Sequence, residues 1–235
     1  MSEGRHIVSA FDDDLIAIQA KISEMGGVVE ELLRDALKAL KKSDSVLAEH
    51  VIERDKVLDT MEMDLEEMAT TVIALRQPMA HDLRVLISAI KIASTLERIG
   101  DLAKNIARRA IYLAEAKPIK VSNSIIQMGK ETQGHLSEIL DAHANRDAEL
   151  AVDIWNRDAE IDDMYNAIFR EVVTYMMEDS RMIGLGSQLL FVAKNLERIG
   201  DHTTHIAEMI YYVVEGEPLG DDRPKGEPLG LEMAP

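Results

Sequence analysis

Leu96-Glu97-Arg98-Ile99-Gly100-Asp101 returns unchanged, one hundred residues later, as Leu196-Glu197-Arg198-Ile199-Gly200-Asp201. An identical hexapeptide at that separation points to a duplicated unit. The duplication extends outward from it. An offset of 103 pairs Met25-Gly26 with Met128-Gly129, Leu33 with Leu136, Leu37 with Leu140, Asp44 with Asp147 and Ala48 with Ala151. The same offset pairs Arg54-Asp55 with Arg157-Asp158, Asp59 with Asp162 and Met61 with Met164. The fall from 103 to 100 places a three-residue deletion in the second unit, at the turn near Asp179-Ser180, where a length change costs little.

The apolar pattern around these anchors has the helical period. Phe11, Leu15, Ile18, Ile22, Met25, Val29, Leu32, Ala36 and Leu40 alternate steps of four and three, the seam of a long helix packing at a shallow angle. Ser43-Asp44 offers a break and an N-cap. A second periodic stretch then runs to about Arg76, and Pro78 ends it. A third, from about Met79 to Ala116, carries the hexapeptide and is closed by Lys117-Pro118. No short alternating run reads as a strand. The expected fold is all-α: two tandem antiparallel three-helix bundles of residues 7–117 and 121–215, six long helices in all. Residues 216–235 hold Gly216-Glu217-Pro218-Leu219-Gly220 and its copy Gly226-Glu227-Pro228-Leu229-Gly230, a composition that predicts a disordered tail.

Composition excludes several functions. The 235 residues carry a formal charge of −17, which repels nucleic-acid phosphates and anionic lipid, so neither is expected as a partner. With no cysteine there is no disulfide and no thiolate metal site. Met1 to Asp14 lacks a basic region followed by an apolar stretch, and no apolar run approaches the roughly 20 residues of a membrane span, so a cytoplasmic protein is expected. P-loop, Gly-x-Ser-x-Gly and His-Glu-x-x-His motifs are absent. Glu3-Gly-Arg-His6 has the Glu-x-x-His spacing of di-iron bundles but lies at the terminus, and Gly184-Leu-Gly186 reads as a helix start.

Acidic pairs four residues apart are common by chance in so acidic a chain, about eight being expected from 43 acids, and most are solvated helix faces. Recurrence selects among them. Glu97/Asp101 maps onto Glu197/Asp201 and Asp55/Asp59 onto Asp158/Asp162, whereas Glu49/Glu53, Glu62/Glu66 and Glu149/Asp153 do not recur. Hairpin geometry brings the recurring pairs together: folding about Pro78 sets Asp59 beside Glu97 and Asp55 beside Asp101, both about 28 Å from the turn. Folding about Asp179-Ser180 does the same for Asp162 with Glu197 and Asp158 with Asp201. Four converging carboxylates require solvent, protonation, neutralisation by Arg54, Arg98, Arg157 and Arg198, or a bound cation. Oxygen clusters suit Mg²⁺, Mn²⁺ or bridged iron, and His205, one turn past Asp201 where the first unit has Asn105, would favour Fe, Mn or Zn.

Two three-helix repeats built on Leu-Glu-Arg-Ile-Gly-Asp, with Gln77-Pro78 followed by His81-Asp82-Leu83-Arg84, resemble the PhoU family of bacterial phosphate-signalling regulators over about residues 7–215. The resemblance implies a cytoplasmic, non-enzymatic adaptor between a phosphate ABC transporter ATPase and a sensor histidine kinase, holding the phosphate-starvation regulon off when phosphate is plentiful. It also implies metal on the acidic motifs, here Glu97, Asp101, Glu197 and Asp201 faced by Asp55, Asp59, Asp158 and Asp162. The second unit lacks the Asp82-Leu83-Arg84 element and has Glu208 for Arg108, so unequal metal sites are expected, the second tighter. Apolar seams on helices this long also point to a homodimer. The alternatives are a carboxylate-bridged metalloenzyme or metal store, and a metal-free scaffold.

Overall fold

A computed structural model describes residues 3–114 and 121–220 together with Pro224 and Gly226. The first unit comprises α1 (Glu3–Lys42), α2 (Ser45–Arg54), α3 (Lys56–Arg76) and α4 (His81–Ala114). The second comprises α5 (Val121–Asn145), α6 (Ala148–Glu178) and α7 (Ile183–Glu215), with a 3₁₀ turn at Ser180–Met182 where the second unit is three residues shorter. No strand occurs among the described residues. Helices α2 and α3 are one long helix interrupted at Asp55, whose φ and ψ stay helical while Leu58 N–H turns to its carbonyl at 2.9 Å. The expected six long helices are therefore present. Lys117-Pro118, read as the junction, lies outside the described residues, as do Asp221–Arg223, Lys225 and 227–235 of the tail.

The two units share their local chemistry at equivalent places. Ser43 and Arg146 both adopt a left-handed φ, +54° and +53°. The following aspartates return their amides to Ala39 and Ala142 carbonyls, and their carboxylates cap α2 and α6 by accepting from Leu47 N–H at 3.0 Å and Leu150 N–H at 2.9 Å. Gln77, left-handed at φ +50°, stops α3 just before Pro78. Gly184 and Gly186 do open a helix, and a Cβ on Gly186 would stand 2.5 Å from Met176 Cε, so glycine lets α7 pack closely on α6.

One continuous apolar core runs through both units. Helix α4 packs along α7 and α1 packs along α5, so the core of each bundle opens into the other. The repeat positions meet each other there: Gly26 faces Leu140, and Gly129 faces Leu37, the same pairing reversed about a pseudo-twofold axis. A leucine fills the space left by each missing Cβ, a close approach that explains why Met-Gly recurs with Leu eleven residues on.

Candidate functional site

In the first unit Asp55 and Asp59 project from the α2–α3 helix toward Glu97 and Asp101 on α4, the register expected from the hairpin. Asp55 is only 3 % exposed. It reaches α4 because Gly100 presents no side chain: a Cβ there would clash with Leu58 Cδ1 and stand 3.2 Å from Asp55 Oδ1. In the second unit a Cβ on Gly200 would lie 2.6 Å from Asp158 Oδ1, with Asp158 1 % exposed. The glycine of the hexapeptide thus admits a carboxylate to a helix backbone, twice.

What neutralises the first cluster is Lys104. Its ammonium donates to Asp55 Oδ2 at 2.5 Å and to Asp101, forming a bridge between the two helices with both Lys104 and Asp55 largely buried. The arginines proposed from sequence serve elsewhere. Arg54 pairs with Glu31, Arg157 pairs with Glu138 and with Asp153 at 2.9 Å, and Arg98 and Arg198 lie near His202 between α4 and α7. Lys104 was missed because its counterpart, Thr204, carries no charge, so it gives no recurring signal. Glu62 was missed for the same reason: its carboxylate adds to the first cluster, whereas the aligned position is Tyr165.

Burial first, and repulsion among these acids second, show in their proton affinity. Burial, reinforced by Asp101, Glu62, Asp59 and Asp55, pushes the Glu97 carboxyl up to about 7. Burial also raises Asp55, against the pull of Lys104. In the second unit burial raises Glu197, opposed by Lys194 and reinforced by Asp201 and Asp162. Lys194 binds Glu197 at 2.5 Å and lies 5.4 Å from the Tyr165 ring centroid. Glu197 Oε2 is buried with no hydrogen-bond partner. Asp162 accepts the Gly226 amide of the tail at 3.1 Å, and Leu219 of the tail packs on the core. His205 donates or accepts at Nδ1 with Glu208 at 3.2 Å, and Glu208 in turn meets Trp155 Nε1 at 3.4 Å, so the imidazole has its own carboxylate partner.

Hard oxygen donors, raised carboxyls and a buried Glu197 oxygen without a donor fit a cation in their chemistry. Among the described residues, however, no three acidic or histidine side chains stand in a coordinating arrangement as folded. In the first unit the Lys104 ammonium takes the central position between Asp55 and Asp101.

The PhoU domain model matches this chain twice, over residues 22–110 and 125–210, the same two units. Over 221 residues the chain is 48 % identical to the phosphate-specific transport system accessory protein PhoU homolog of Caulobacter vibrioides (strain NA1000 / CB15N), covering 94 % of this chain and 96 % of that protein. It is 41 % identical over 215 residues to the Escherichia coli (strain K12) accessory protein PhoU, covering 91 % and 88 %. The crystal structure of PhoU from Pseudomonas aeruginosa superposes with a TM-score of 0.86 at 40 % identity, covering 88 % of this chain and all of that one. That of the phosphate transport system regulatory protein PhoU from Streptococcus pneumoniae gives 0.84 at 31 %. A glycine-spaced pair of acidic helical hairpins, repeated about a pseudo-twofold axis and matched along nearly its full length, makes this chain a member of the PhoU family.

Proposed function

We propose that this protein is an accessory regulator of phosphate transport, acting as a non-enzymatic adaptor. The observation that carries the reading is identity of 41–48 % with transport accessory proteins across nine-tenths of the chain. Its partners on this reading are the ATPase of a phosphate transporter and a phosphate-sensing histidine kinase. No helix among the described residues is long and apolar enough to cross a membrane, in keeping with recruitment through partners. Deleting the gene should release phosphate-starvation reporters in high-phosphate medium, and complementation should restore silence. A reporter that stays silent in the deletion strain would contradict the role.

Metal belongs to the same proposal. Asp158, Asp162, Glu197 and Asp201 would hold a hard or borderline cation in the second unit, with His205 at the rim. Asp55, Asp59, Glu97 and Asp101 would do so in the first. Such a cation supplies positive charge that draws the two helices of each hairpin together. The second cluster is the tighter, because Thr204 stands where Lys104 bridges two carboxylates in the first, and Lys194 engages only Glu197 Oε1, leaving Oε2 without a donor.

A further inference from the structure

The two units end differently. In the first, α4 leads on toward α5, whereas in the second Gly216 closes α7 with a left-handed φ of +85°, its amide donating to the Tyr212 carbonyl at 3.1 Å. Arg84 of α4 backs that turn. A Cβ on Gly216 would stand 3.2 Å from Arg84 Nη2, and the same guanidinium lies 5.9 Å from the Tyr212 ring centroid. The residue equivalent to Arg84 in the second unit is Gly184, so the first unit supplies a support that its own repeat lacks.

Beyond the turn, two contacts hold the chain to the bundle. Leu219 packs on the core and, with Pro218, walls a cleft shared with Trp155 and Tyr212. Gly226 lies flush against α6 at the second acid hairpin. Its amide donates to Asp162 Oδ2 at 3.1 Å, and a Cβ there would stand 2.5 Å from Asp162 Cβ and 2.8 Å from Asp163 Oδ1. Only glycine fits so close an approach. Trp155 and Asp162 are seven residues apart on α6, about 10 Å along its axis. The seven residues from Leu219 to Gly226 can span up to about 24 Å, so the chain is long enough to make both contacts at once.

We propose that the chain after α7 is an autoinhibitory strap over the second acid hairpin, anchored by Leu219 and latched by the Gly226 amide on Asp162. A latch of one hydrogen bond is weak, but the tether holds the amide at about millimolar effective concentration. That balance keeps the strap docked and lets it be released. The docked amide and a cation compete for Asp162 Oδ2, so the strap lowers the apparent affinity of the second hairpin for metal. The competition rests on the cation reading above, whereas the docking does not. The first hairpin is held by Lys104 instead.

Trp155 is the single tryptophan of the chain, so its fluorescence in the full-length protein reads the anchor directly. Two variants outside the helices release the strap without disturbing the bundle. Leu219→Ser removes the anchor, and Gly226→Val puts a branched side chain where there is no room for a Cβ. Because the strap docks as one piece, acrylamide quenching of Trp155 should rise about twofold in each. Labelling of Asp162 by carbodiimide and glycine ethyl ester, read by mass spectrometry, should rise with it. A strap docked about four-fifths of the time weakens binding about fivefold, so Mn²⁺ should bind about fivefold more tightly to Gly226→Val than to the parent. Unchanged quenching or unchanged Asp162 labelling in the variants would overturn the strap, and equal Mn²⁺ affinity in parent and variant would overturn the competition. Mn²⁺ binding to none of the proteins, with quenching and labelling both raised, would overturn the cation reading and support the docking.

Discussion

Asp55, Lys104 and Gly100 show how much one residue decides in this site. Asp55 is buried against a helix backbone, and Lys104 is what makes that burial tolerable. Removing the lysine leaves a buried carboxylate beside Asp101, so Lys104→Met should lower stability by about 2–4 kcal/mol in metal-free protein. Asp55→Asn in the same background should restore most of it. Urea denaturation of the two variants checks the pair; equal loss in both would show that the bridge is unimportant. Gly100→Ala forces a methyl into Leu58, and Gly200→Ala forces one against the Asp158 carboxylate, so each should cost about 1–3 kcal/mol. An exposed helical glycine without close neighbours, such as Gly27, should instead gain slightly on the same substitution.

At the scale of the helix, α5 carries the clearest pH dependence. His135 is 1 % exposed with neither ring nitrogen hydrogen-bonded, and burial followed by Arg157 depresses its proton affinity. His143 and His202 are depressed as well, each chiefly by burial. In the unfolded chain these imidazoles protonate near 6.5, but in the folded chain only at lower pH, so below about 6.5 the unfolded state binds more protons. Their contribution to stability is therefore present above pH 6.5 and is lost as pH falls toward 4. Raised Asp55, Glu97 and Glu197 act with the opposite sign, which is why the histidine effect needs a variant to isolate it. His135→Leu, which installs the residue found at the equivalent Leu32, should flatten the acid-side loss between pH 6.5 and 4.5. Thermal unfolding at a series of pH values would show it, and an unchanged slope would contradict the assignment.

The helices and their register were legible because the 3.6-residue period and the internal repeat report on backbone packing, which both units must satisfy alike. Asp44 and Asp147 were readable as caps for that reason. Lys104, Glu62 and His135 were not, since each is a place where one unit departs from the other. A repeat-based reading filters out such differences, although a polar His135 where its partner unit has Leu32 was a usable signal.

For the whole molecule, the shared core makes the two units interdependent. Met25, Leu33 and Leu37 of α1 are buried together with Met128 and Leu136 of α5 in one cluster. The chain should therefore unfold in a single cooperative transition, whereas a fragment of residues 1–117 would expose the α4 and α1 faces that α7 and α5 cover. Hydrogen exchange of α4 and α7 should give matching opening free energies. Separate values for the two helices would mean two independent bundles.

On the proposed reading the duplicated acid hairpins are cation sites of unequal strength: Lys104 bridges Asp55 and Asp101 across the first, whereas Lys194 engages only Glu197 Oε1 in the second and leaves Oε2 without a donor. Elemental analysis of protein purified without chelator tests it most directly. Metal should be present, largely lost in Glu197→Ala/Asp201→Ala, reduced less in Glu97→Ala/Asp101→Ala, and increased in Lys104→Ala. A metal content that is the same in all four proteins, or absent from the parent, would contradict the account.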